Sequence, residues 1–179
     1  MILDNYLMFS GGLGGATAPA DSPTAGTQNS TNVIDLGVTS GIPSSANGGG
    51  ARDMGVGDNP ALELSAIVSI AFAGGTSLQL ELQGAPDNGS GAPGTYTTMW
   101  QGEAVTTANL DAGQQLANIT VPRPVPGQAM PRFLRMRYVT VGTHTSGALI
   151  ASIVLDRDDQ IVGTDGQYSG YPAGLTVAN

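Results

Sequence analysis

The sequence contains no cysteine and no lysine, and it contains a single histidine. The absence of cysteine excludes disulfide bonds, thiolate metal ligands and a cysteine nucleophile. The absence of lysine excludes a Walker A phosphate-binding loop, a Schiff base and a lysine general base. We therefore expect a protein that is not an enzyme and that has no cofactor.

Charged residues are also scarce, at 11% of the chain, and the formal net charge is −8. Affinity for nucleic acid comes mainly from basic side chains that neutralise phosphates, so a chain with six arginines and no lysine is not expected to bind DNA or RNA. The uncharged stretch at residues 64–80 contains Gly74 and Gly75 and is too interrupted for a membrane helix. The first residues lack the basic and apolar regions of a signal peptide. We expect no membrane partner.

The chain is rich in residues that interrupt regular structure, with 27 glycines and 11 prolines. They concentrate in three low-complexity segments at residues 11–31, 39–60 and 84–95, which predicts loops there. The aliphatic content is sufficient for one core of domain size. We predict one β-sandwich domain over residues 1–179, with flexible loops or arms at 11–31 and 39–60 and a C-terminal tail at 168–179.

Short runs of β-branched and aromatic residues lie between these segments and predict about eight strands without a long helix. This pattern is typical of an all-β antiparallel jelly roll or β-sandwich with long Gly-rich loops. The predicted strands are 6–9, 32–38, 62–72, 77–83, 96–101, 115–121, 132–141 and 148–156.

The run at residues 62–72 is compatible with a helix, because Asn59 and Pro60 resemble a helix start. However, every even position from Leu62 to Phe72 is apolar, and this alternation favours a strand. In the next strand Leu78, with the leucines at 80 and 82, forms one apolar face.

Two hairpins are expected from these patterns. A three-residue turn at 74–76 would pair Leu78 with Phe72 and keep one apolar face; the same register pairs Leu80 with Ile70 and Leu82 with Val68. A second hairpin would join residues 133–141 to 148–156 through a turn at 142–147. Leu134, Met136 and Tyr138 would then face the core, and Phe133, Arg135 and Arg137 would share the opposite face as a candidate contact surface.

Several short motifs resemble the jelly-roll capsid cement proteins of tailed bacteriophages. They are NVIDLG at 32–37, ARDMGVG at 51–57 followed by LEL at 62–64, VLD at 154–156, and GYPAGL at 170–175. The resemblance covers about two-thirds of the chain, although the long segments at 11–31 and 39–50 depart from the compact family pattern.

The resemblance implies a structural virion protein on the outer surface of an icosahedral capsid. Its partners would be the major capsid protein and further copies of itself, as a dimer or trimer. Attachment would be non-covalent, because the chain has neither lysine nor cysteine for a cross-link. Candidate capsid or subunit contacts are Tyr6, Met8, Phe9, Arg52, Arg135, Arg137, Tyr168, Tyr171 and Leu175. The alternative for the residues at both termini is that they pack on the chain's own core.

Other candidate sites have simpler explanations. His144 lies in a predicted Gly/Thr/Ser turn, so an exposed histidine is expected rather than a catalytic one. Asp156 begins an acidic cluster reaching Asp165 that suggests calcium, but its spacing does not fit an EF-hand. No metal site is predicted, because Arg157 offsets part of this charge, and a looser calcium site is the alternative.

Two further alternatives concern aromatic and basic side chains. Trp100 with Tyr96 would suit a sugar-stacking platform, which suggests a carbohydrate-binding β-sandwich of a phage tail or surface protein, although a buried tryptophan is the simpler expectation. Arg135 and Arg137 would contact acidic capsid or subunit surfaces, or pair with Glu81 or Glu63 in the same sheet.

Overall fold

In a computed structural model of the chain, residues 7–11, 20–37, 62–122 and 131–155 can be described. Their regular structure includes nine β-strands and a 3-10 turn at Thr107–Asn109. None of the helical structure in this part of the chain is long and apolar enough to span a membrane. The strands are β1 Met8–Ser10, β2 Ala25–Asn29, β3 Ile34–Asp35, β4 Leu62–Gly74, β5 Ser77–Ala85, β6 Thr97–Gln101, β7 Val105–Thr106, β8 Gln115–Thr120 and β9 Phe133–Leu155.

The fold is built on one long antiparallel ribbon. β9 is 23 residues long, and it pairs first with β5 and then with β4. Ala85 lies opposite Phe133 at one end of the ribbon, and Leu62 lies opposite Leu155 at the other. β4 and β5 therefore follow each other along the same partner strand.

The strand at residues 62–72 is confirmed, but both predicted hairpins are wrong. β4 and β5 do not pair with each other, because Gly74 and Gly75 carry the chain onward along β9 instead of reversing it. Residues 142–147 lie within β9 and form no turn between two strands. The observed partners of Leu78, Leu80 and Leu82 are Thr140, Tyr138 and Met136.

Glycines occupy the point where the ribbon passes from β4 to β5. Gly74, Gly75 and Gly142 have φ angles of 69°, 63° and 77°, which glycine adopts without steric cost. A Cβ on Gly142 would lie 2.9 Å from the Cα of Gly75, and a Cβ on Gly75 would lie 2.7 Å from the ring of His144. Glycine is therefore needed both in β9 and in the link between β4 and β5. This region, the glycine corner, allows the two halves of the ribbon to curl towards each other.

The curled ribbon encloses one apolar core, as expected for a β-sandwich. The alternation predicted for Leu78, Leu80 and Leu82, and for Leu134, Met136 and Tyr138, is confirmed. A bulge after Val68 interrupts the apolar face of β4 and leaves Ile70 58% exposed. Core side chains from both halves that are at most 2% exposed are Leu64, Ala66, Val68, Leu78, Leu80, Leu82, Leu134, Met136, Tyr138, Leu149, Ala151 and Ile153.

Shorter strands flank the ribbon on both sides. β8 pairs with β4, and β6 and β7 pair with β5. β1, β2 and β3 all pair with β9. β2 lies inside the segment that was predicted as a loop at 11–31. The strand was not predicted because its sequence, AGTQN, has no apolar alternation, and it is held instead by backbone pairing with β9.

A buried polar cluster fastens the segment before β2 to both halves of β9. The backbone of Asp21 exchanges hydrogen bonds with Leu149, with N···O distances of 3.1 and 2.9 Å. Its carboxylate accepts hydrogen bonds from the Tyr138 hydroxyl at 2.7 Å and from the backbone N–H and the hydroxyl of Thr31. Burial, followed by the charge of Asp21, raises the pKa of Tyr138 well above its usual value.

His144 is buried, contrary to the exposed turn residue expected from the sequence. It is 2% exposed, and it lies in β9 opposite Gly74. Its Nε2 lies 3.3 Å from the carbonyl oxygen of Ser77; because a carbonyl only accepts, Nε2 carries the proton. The ring packs edge-on against Phe72 with centroids 5.2 Å apart, so the histidine is part of the glycine corner.

Substituting Gly75 tests the close packing of this corner. A Cβ at Gly75 would lie 2.7 Å from two ring atoms of His144, whereas Gly26 has a similar φ of 66° and no atom within 4 Å of its Cβ position. We expect Gly26→Ala to cost about 1 kcal/mol from backbone strain and Gly75→Ala to cost about 2 kcal/mol more from overpacking. Urea unfolding measures both, and equal losses would contradict the proposed contact.

The raised pKa of Tyr138 lowers the free energy of unfolding at alkaline pH. Its folded-state pKa lies above the ordinary value of 10.0, so the folded state retains a proton that the unfolded chain loses, and stability falls as pH rises through about 10. Wild-type protein should lose more free energy of unfolding between pH 8 and 10.5 than Tyr138→Phe. Parallel losses in the two proteins would show that Tyr138 titrates normally in the fold.

Candidate functional site

The surface of β9 that faces away from the core carries the candidate site. Arg135 and Arg137 alternate with the buried residues Leu134, Met136 and Tyr138, so they point to the opposite face, as predicted. Phe133, which was expected to share this contact surface, is instead buried at 5% exposure, and Arg132 Cζ lies 4.9 Å from the centroid of its ring. Arg135 lies opposite Gln83, and Arg137 lies opposite Glu81. We define the arginine face as Glu81, Gln83, Tyr96, Thr98, Arg135 and Arg137.

Glu81 is the hydrogen-bond acceptor at the centre of this face, although it is only 7% exposed. Its Oε2 accepts hydrogen bonds from Arg137 Nη1 and Thr98 Oγ1, both at 3.2 Å, and from Gln83 Nε2 at 3.3 Å. Burial of a carboxylate is tolerated when donors compensate its charge. Arg137 therefore forms the intramolecular pair with Glu81 that the sequence allowed.

Arg135 is held differently. Its Nε and Nη2 donate hydrogen bonds of 3.0 and 2.9 Å to Gln83 Oε1, and its Cζ lies 3.7 Å from the centroid of the Tyr96 ring. This stacking is a cation–π contact. Burial raises the pKa of Tyr96, while the charge of Arg135 lowers it to a smaller extent. No carboxylate among the described residues forms an ion pair with Arg135.

A third arginine, Arg132, immediately precedes β9. Arg132 donates to Asp35 through Nε at 2.8 Å and through Nη2 at 3.0 Å, and its Nη1 also contacts Asp87. Hydrogen bonding to Arg132 lowers the pKa of Asp35, whereas the backbone N–H groups of Gly91 and Gly89 are the main cause of the lowered pKa of Asp87. Sequence reasoning missed this cluster, because its members are far apart in the chain.

The remaining predicted contact residues divide into two groups. Met8 and Phe9 are 4% and 0% exposed, and Phe9 belongs to the main core, so this part of the chain packs on its own domain. Tyr6, Arg52, Tyr168, Tyr171 and Leu175 lie outside the described residues, as does the acidic cluster from Asp156 to Asp165. Within the described ranges, no group of three or more histidine, aspartate or glutamate residues is arranged to hold a metal ion.

Trp100 and Tyr96 do not form one platform. Trp100 lies opposite the buried Leu82 and packs against the core, since directly opposite residues share a face of the sheet. Tyr96 instead stacks with Arg135 on the arginine face. This arrangement favours a structural role for Trp100 and removes the feature that suggested sugar stacking.

Comparison with known proteins identifies one family. The protein-family model described as Bbp16 matches residues 18–153, which is more than half of the chain. The matched region includes the arginine face and almost all of the ribbon. No match is found among curated proteins.

Stability at acidic pH tests whether Asp35 and Asp87 are the partners through which Arg132 stabilises the fold. The folded-state pKa values of Asp35 and Asp87 are lowered, so their contribution to stability is present above pH 4 and is lost as pH falls below about 4. We expect the stability difference between wild type and Arg132→Gln to shrink from pH 7 to pH 3.

Arg135→Gln is the matched control, because its partner Gln83 does not titrate. Chemical denaturation at both pH values provides the measurement. An unchanged difference for Arg132→Gln would exclude the carboxylates as the partners that stabilise it.

Proposed function

The chain belongs to the Bbp16 family, and we propose that it is a structural virion protein of a tailed bacteriophage. In this role it binds the outside of an icosahedral capsid and bridges and stabilises neighbouring major capsid subunits without covalent links. The family name is consistent with a phage protein, and the sequence motifs resemble capsid cement proteins. The observation that carries the proposal is the arginine face, a polar surface of fixed geometry on the central strands of the sheet.

The chemistry of this face supports protein binding rather than catalysis. Aromatic and arginine side chains are enriched where proteins bind each other. Tyr96, Arg135 and Arg137 lie together on β-strands or next to one, so their positions are set by the scaffold and need little reorganisation on binding.

The composition supports attachment by many weak contacts. A chain without lysine or cysteine provides neither the amine of an isopeptide link nor a thiol, so affinity would accumulate over the sites of a dimer or trimer through avidity. A net charge of −8 suits the outer surface of a capsid, away from packaged DNA. In the proposed role the protein needs no cofactor, membrane or nucleic acid, and it is not an enzyme.

Capsid binding by charge variants tests the proposal. Purified capsids that lack this protein are mixed with wild type or with Arg135→Gln/Arg137→Gln, and bound protein is measured by co-sedimentation. We expect the double variant to bind at least about tenfold more weakly, because arginine is enriched among the interface residues whose truncation costs about 2 kcal/mol or more. Circular dichroism at the same temperature checks that it is folded.

The control is Ala108→Glu/Asn109→Asp in the exposed 3-10 turn, which changes the net charge by the same amount. It should bind like wild type. If the wild-type protein binds neither unexpanded nor expanded capsids, the proposed function is overturned. Equal weakening by the control would show that net charge, and not the arginine face, governs attachment.

A further inference from the structure

The two arginines of the arginine face are not equivalent. We infer that Arg135, and not Arg137, is the recognition residue and that it binds a carboxylate side chain of the partner protein. This inference rests on the proposed function, since it specifies the chemistry of the surface that the chain would bind. Arg137 is a positioning residue, which acts by holding Glu81.

Charge balance separates the two side chains. Arg137 has an ion-pair partner in the nearly buried Glu81, and Arg132 has two partners in Asp35 and Asp87. Arg135 alone among the described arginines is paired with a neutral group, the amide oxygen of Gln83. The described part of the face therefore keeps one uncompensated positive charge, at Arg135.

The N–H donors of Arg135 that no described residue accepts indicate the shape of the ligand. A guanidinium has five N–H donors, and Gln83 Oε1 takes one from Nε and one from Nη2. The two N–H groups of Nη1 make no hydrogen bond to a described residue, and one remains on Nη2. Donors on these two nitrogens form the fork that binds the two oxygens of a carboxylate.

The orientation of this fork is set before binding. Gln83 is 4% exposed, and its Nε2 donates to Glu81 Oε2 at 3.3 Å and to Thr98 Oγ1 at 3.2 Å, which directs its Oε1 towards Arg135. Tyr96 supports one face of the guanidinium. A long side chain held at both its edge and its face loses less conformational entropy on binding.

The charge of the whole chain favours a single carboxylate over a polyanion. Arg135 is the one uncompensated cation in the described part of a protein with net charge −8. One cation is insufficient to retain a nucleic acid, whose affinity grows with the number of phosphates neutralised. It suffices for one charge-assisted, two-point hydrogen bond to an aspartate or glutamate side chain. A partner surface that presents one aspartate or glutamate side chain therefore fits this face.

The isolated protein provides the first test. Side-chain Nε–Hε resonances of the arginines are followed by nuclear magnetic resonance while sodium acetate replaces sodium chloride at constant ionic strength. We expect a saturable shift at Arg135 and at the Tyr96 ring, and a much smaller shift at Arg137. Absence of a shift at Arg135, or a larger response to inorganic phosphate than to acetate, would overturn the carboxylate assignment.

Capsid binding provides the second test, with single variants. Arg135→Gln should weaken binding at least about tenfold, and Arg135→Lys should restore only part of it because the fork is lost. Arg137→Lys keeps a cation beside Glu81, so it should weaken binding less than Arg135→Lys does. If Arg137→Lys weakens binding more than Arg135→Lys does, the assignment of roles is wrong.

The two tests distinguish a failure of this inference from a failure of the proposed function. Capsid binding that is insensitive to Arg135 would refute the inference and leave the proposed function in place. A saturable acetate response in a protein that binds no capsid would support the carboxylate site and refute the proposed function. Melting temperatures of all variants, measured in the same buffer, show whether a loss of binding comes from unfolding.

Discussion

The pairing of residues 62–85 with the single long strand β9 is the constraint on which the structure depends. Because β4 and β5 share this partner, the sheet must curl at Gly74 and Gly75 for its two halves to cover one core. Gly142 and the buried His144 lie at the same place, where a side chain on either Gly75 or Gly142 would meet a neighbour at less than 3 Å. The flanking strands then attach to the edges of a ribbon that already has its shape.

The register of this ribbon also creates the arginine face. Arg137 meets Glu81 and Arg135 meets Gln83 only because Ala85 lies opposite Phe133, and a shift of one residue would move these side chains into the core. The cluster therefore depends on the same backbone pairing as the apolar core. Stability and the geometry of the proposed contact surface are coupled in this protein, since both are set by the pairing of β5 with β9.

Local patterns in the sequence predicted a large part of this arrangement. Alternation correctly identified the apolar faces of β5 and of the first half of β9, and β-branched residues correctly favoured a strand at 62–72. Alternation also placed Phe133, Arg135 and Arg137 on one face. It did not predict β2, whose residues show no alternation. It also did not predict the ion pairs of Arg132, because Arg132 and Asp35 are 97 positions apart in the chain.

Residue types and short-range periodicity are sufficient to predict the antiparallel β class and the inward-facing residues of the main strands, and the residue types show that cysteine thiols and lysine amines are missing. The folded structure shows which strands pair, that Gly74 and Gly75 continue the chain without reversing it, and that His144 is buried. Among the described residues, it pairs Arg137 with Glu81 and places Arg135 against Gln83 and Tyr96. These features depend on contacts between distant segments, and alternation specifies the face of a side chain but not the strand that lies beside it.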